Sequence, residues 1–127
     1  MSLMILGHVY LAAGAPVQAR AVLSEAAALF QATGNMVYLP WCLEALATLA
    51  VADGDLDWAA AVVGARDALR TQTGIMLPPV YPAGYAGMLA TVRDHVGAAE
   101  LAAIRTRLAA LPPPAIVAAA LGEQEMP

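Results

Sequence analysis

Lysine is absent from the chain. Its six basic residues are all arginine (Arg20, Arg66, Arg70, Arg93, Arg105 and Arg107), they face ten acidic residues, and the formal net charge is −4. Arginines so few and so scattered form no stripe that could follow a phosphate backbone, which argues against direct nucleic-acid binding. Without lysine there is also no GxxxxGK[ST] loop, so the chain is not a nucleotide-hydrolysing domain of that kind. Cysteine occurs once, at Cys42; a single thiol excludes an internal disulfide and fits a reducing compartment.

Charge of either sign is scarce, at 13% of residues, while hydrophobic residues make up 61% and mean hydropathy is +0.66. Average domains carry roughly 25% charged and about 45–50% apolar residues. The surplus points either to a membrane or to apolar faces meant for neighbours. The longest uncharged run, residues 71–92, contains Gly74, Pro78, Pro79, Pro82, Gly84 and Gly87, which would break a spanning helix. The N-terminal MSLMILGHVYLAAGA lacks the cationic start of a secretory signal. A cytoplasmic protein without a membrane partner is expected.

What the chain has is alanine, glycine and proline in an ordered series. In residues 53–79, Asp55 suits a helix N-cap, and Trp58, Val62, Ala65 and Leu69 recur at helical spacing. Gly74 stops that helix and Pro78-Pro79 prevent its resumption. The unit occurs twice. Gly14 precedes Gly54, and Gly34 precedes Gly74, by the same interval as Leu29 precedes Leu69.

The expected class is therefore all-α, about seven helices in antiparallel pairs. The expected helices are 3–13, 16 to the stop at Gly34, 36–53, 56–73, 82–96, 98–111 and 115–121. Residues 1–121 read as one helical-repeat domain, with units at 1–34 and 35–74 and C-terminal helices over 82–121; 122–127 read as a frayed tail.

Leu6-Gly7-x-x-Tyr10 followed by Ala19, Leu23 and Ala26 resembles the tetratricopeptide pattern, in which small residues let two helices approach and large ones fill the gap. In the second unit Leu46, Ala47 and Ala59 fit, but Arg66 and Arg70 stand where an apolar pair belongs. From Gly54 to Leu121 the series Gly54-Asp55-Leu56, Ala59-Ala60, Gly64-Ala65, Ala68-Leu69-Arg70, Gly74, Pro78-Pro79, Gly97, Val117-Ala118 and Ala120-Leu121 is similar to a recurring bacterial module. It is the C-terminal end of the helical-repeat region in large ATP-dependent LuxR-type regulators of the maltose-regulator class. Pro112-Pro113-Pro114 departs from the polar capping sequence usual there.

The resemblance implies a non-catalytic regulatory segment of a transcriptional regulator that binds an effector or partner or associates with itself. Its partners would be the other domains of the parent regulator and a second copy. The alternatives are the helical tail of an ATPase–cyclase and a freestanding scaffold.

No catalytic, cofactor or metal site is expected. Asp53, Asp55 and Asp57 alternate as in a calcium loop, but Trp58 and Gly64 occupy the positions needing Gly and Glu. His8 and His95 lack ligands at metal spacing. Cys42 reads as a small core residue, and Glu25 and Glu44 as carboxylates on separate helices. Arg66 and Arg70 read as a solvated ridge, with a partner's carboxylate or phosphate as the alternative occupant. Met76, Tyr81, Tyr85 and Met88 are expected to plug the end of the array, with a small apolar effector as the alternative. Ile5 and Val9, on a helix apolar nearly all round, are expected to form the self-association face.

Overall fold

The computed structural model describes residues 3–74, 78–79 and 82–122, with the side chains of Met4 and Pro82 excepted. Seven helices and no strand occur among the described residues: α1 (Leu3–Ala12), α2 (Pro16–Ala32), α3 (Leu39–Ala52), α4 (Leu56–Thr73), α5 (Pro82–Val96), α6 (Ala98–Ala109) and α7 (Pro113–Ala120). The class and the helix number are those expected.

Local chemistry sets the boundaries. The Asp55 carboxylate accepts the Trp58 backbone N–H at 3.1 Å, capping the start of α4. At its other end Gly74 takes φ 69°, a left-handed conformation that a side chain would resist. Gly14, Gly34 and Gly54 close α1, α2 and α3 with the same geometry, φ 72°, 74° and 77°. One start moved: α3 begins at Leu39 rather than just after Asn35. Pro40 lies in its first turn, where a missing N–H costs nothing, and residues 36–38 form a turn instead. The last two helices also shift, α6 ending at Ala109 and α7 opening on Pro113.

From α1 to α4 each helix packs on the next. Beyond α4 that order breaks. Helix α4 also packs on α5, α6 and α7, α3 on α5, and α7 returns to α2. Helix α4 is thus an axis enclosed by α3, α5, α6 and α7. A helix enclosed in this way buries residues on more than one side. Val62, Ala65 and Leu69 are buried as the stripe predicts, but so is Val63, at 1% exposure. The reading that left this side uncovered is corrected: Val63 shares the side of α4 that carries Arg66, three residues on, and α3 and α5 cover that side.

Two glycines set the closest helix approaches. A Cβ on Gly64 would lie 2.5 Å from Ile104 Cγ2 of α6, and one on Gly7 would lie 2.5 Å from Leu23 Cγ and Cδ2 of α2. A second fastening joins three helices. Trp58 Nε1 donates to the Ala120 carbonyl of α7 at 2.8 Å, while the Arg20 guanidinium of α2 stacks 4.1 Å over the Trp58 ring.

Candidate functional site

Arg66 was expected on a solvated ridge and lies inside. It is 7% exposed, and its Nε donates to Glu44 Oε1 of α3 at 2.8 Å. Its Nη1 donates to Asp67 Oδ1 at 2.9 Å, and its Cζ sits 4.6 Å from the centre of the Tyr85 ring of α5. Burial opposes the charge on Arg66, but the surrounding Tyr85, Glu44 and Asp67 oxygens outweigh it and raise its pKa. Burial likewise pushes the Tyr85 phenol up to about 12. The cluster ties α3, α4 and α5 together at one point, and a buried cation held this way needs every one of its partners.

Two depressions lie on either side of this cluster, and Tyr85 lines both. The first, about 230 Å³, is bounded by His8 and Leu11 of α1, Trp41, Glu44, Ala45 and Thr48 of α3, and Gly84 and Tyr85 of α5. Burial lowers the His8 pKa, so its imidazole is held neutral. The second, about 470 Å³ and shallower, is bounded by Arg66, Asp67, Arg70, Pro78, Pro79, Tyr85 and Leu89. The prolines that line it are fixed by Trp41, whose Nε1 donates to the Pro78 carbonyl at 2.9 Å. Trp41 in turn belongs to an aromatic row, 5.4 Å from Tyr38, which is 6.3 Å from Phe30.

Of the residues singled out in the sequence, Arg66, Arg70 and Tyr85 therefore meet in one depression. Arg70 is exposed as expected, whereas Arg66 is committed to Glu44 and Asp67 and does not offer a free guanidinium to a partner. Ile5 and Val9 lie elsewhere, exposed on α1. Met88 is buried; Met76 and Tyr81 lie outside the described residues. Cys42 is in the core, where burial pushes its thiol up to about 12, so it is no nucleophile at neutral pH.

Among the partnerships that sequence reasoning missed are Glu44 with Arg66, Arg20 with Trp58, and His95 Nε2 with Asp57 Oδ1 at 3.0 Å. The first had a signal: one arginine at an apolar repeat position and one glutamate inside the otherwise uncharged LPWCLEALATLAVA. No group of three or more metal-binding side chains occurs among the described residues. No helix among them is long and apolar enough to cross a membrane. Comparison with protein-family models, curated proteins and solved structures returns no match.

Proposed function

We propose that the chain is a helical-repeat interaction segment of a LuxR-type bacterial regulator, non-catalytic, and that it works by associating with a second copy through the outer side of α1 and α2. One observation carries this reading. These paired helices display Ile5, Val9, Val17 and Leu29 at 52%, 53%, 78% and 52% exposure. Such apolar area gains about 25 cal/mol per Å² when removed from water. A two-fold contact would cover the same residues on both copies. The regulator assignment rests on the resemblance over 54–121, whose stops at Gly54, Gly74 and Gly97 all have positive φ.

Sedimentation at micromolar concentration tests the proposal. The unaltered chain should run as a dimer, and Val9→Glu with Val17→Glu should run as a monomer with unchanged helix content. A monomer for the unaltered chain across the micromolar range overturns the self-association reading.

A further inference from the structure

The depression between α1, α3 and α5 has the size, walls and charge of a ligand site. Its volume, about 230 Å³, exceeds the roughly 150 Å³ of an apolar cavity that admits benzene. Trp41 and Tyr85 contribute aromatic rings, Leu11 and Ala45 apolar wall. Three titratable residues line it among those described, and none offers a free charge: the Tyr85 phenol is pushed up to about 12 and stays neutral. Glu44 is paired with Arg66, and His8 is kept neutral by burial. No lysine or arginine lines it among the described residues. A charged ligand would thus lose its water there without gaining a counter-ion, a penalty an uncharged one avoids.

We propose that this depression binds an uncharged bicyclic aromatic molecule, of the size of indole, between Trp41 and Tyr85. The site deepens the effector half of the regulatory reading without depending on self-association. Such a ligand would touch α1, α3 and α5 together. Through Tyr85 and Glu44 it would also bear on the ion pair that holds α4.

Titration calorimetry of the full chain with indole, tryptamine and indole-3-acetate tests the proposal. Indole should bind saturably with a sub-millimolar Kd, and the cationic and anionic analogues at least tenfold more weakly. Thr48, on the lining and exposed, gives the blocking variant: Thr48→Phe should weaken indole at least tenfold with an unchanged melting temperature. If Thr48→Phe fails to fold, Gly84→Leu on the opposite wall replaces it with the same expectation.

Absence of saturable indole binding overturns the proposal. So does equal or tighter binding of either charged analogue, or full binding by the folded blocking variant. Sedimentation of the same sample without ligand reads self-association separately, so failure of the pocket and failure of the dimer are distinguishable.

Discussion

Arg66 of α4 and Glu44 of α3 form an ion pair at 2.8 Å, with side chains 9% and 8% exposed, between helices otherwise joined by apolar contacts. Removing either partner leaves the other buried without this counter-ion, whereas removing both leaves only the partly exposed Asp67 without one. Glu44→Ala should destabilise the chain by about 3 kcal/mol, near the lower end for a broken buried pair because Asp67 still contacts the guanidinium. Glu44→Met with Arg66→Met should recover most of that loss. Urea unfolding of the two singles and the double gives the coupling directly; additive losses would show that the pair is not the unit.

Gly64 and Gly87 are both helical glycines with opposite surroundings. A methyl group on Gly64 meets Ile104 Cγ2 at 2.5 Å, while one on Gly87 meets nothing within 4 Å. Gly87→Ala should stabilise by about 0.5–1 kcal/mol through helix propensity. Gly64→Ala gains the same propensity but must push α6 away, an overpacking cost of about 1–3 kcal/mol. Melting temperatures of the two variants should therefore move in opposite directions.

Trp58→Ala should cost about 3 kcal/mol, against about 0.5 or less for the exposed Arg70→Ala. The tryptophan loss removes the bond to Ala120 and the stacking of Arg20 as well as packing. Amide exchange should then rise through α7, which an effect confined to α4 would not produce.

Alkaline stability follows from Cys42 and Tyr85. Burial raises both, the thiol from 9.0 to about 12 and the phenol from 10.0 to about 12. The unfolded chain then releases protons that the folded chain keeps. Their contribution is complete below pH 9 and is lost as pH rises from about 9 towards 12. Urea midpoints should fall across that window, and Cys42→Ala should flatten the slope at its lower end.

The helices were legible because their stops are local chemistry. Gly14, Gly34, Gly54, Gly74 and Gly97 have the positive φ that their positions suggested, and Asp55 caps where it should. The start of α3 was less legible, since Asn35 and Pro40 offer competing starts and the proline decides. The site was legible only in part. Tyr85 and Arg70 were named, but spacing along α4 could not say that the Arg66 side faces α3 and α5. That fact depends on α5 folding back against α3, which breaks the nearest-neighbour order from which the face was inferred. Trp58 was assigned to the core from periodicity, yet its anchor is a carbonyl 62 residues away.

That last separation bears on how the chain is made. At about 5–20 residues per second, the ribosome needs roughly 3–12 s to go from Trp58 to Ala120, 62 residues later. Until then the sides of α2 and α4 that α7 covers face water. The nascent chain therefore spends seconds with its central helix incompletely enclosed, until α7 closes over a surface formed long before it.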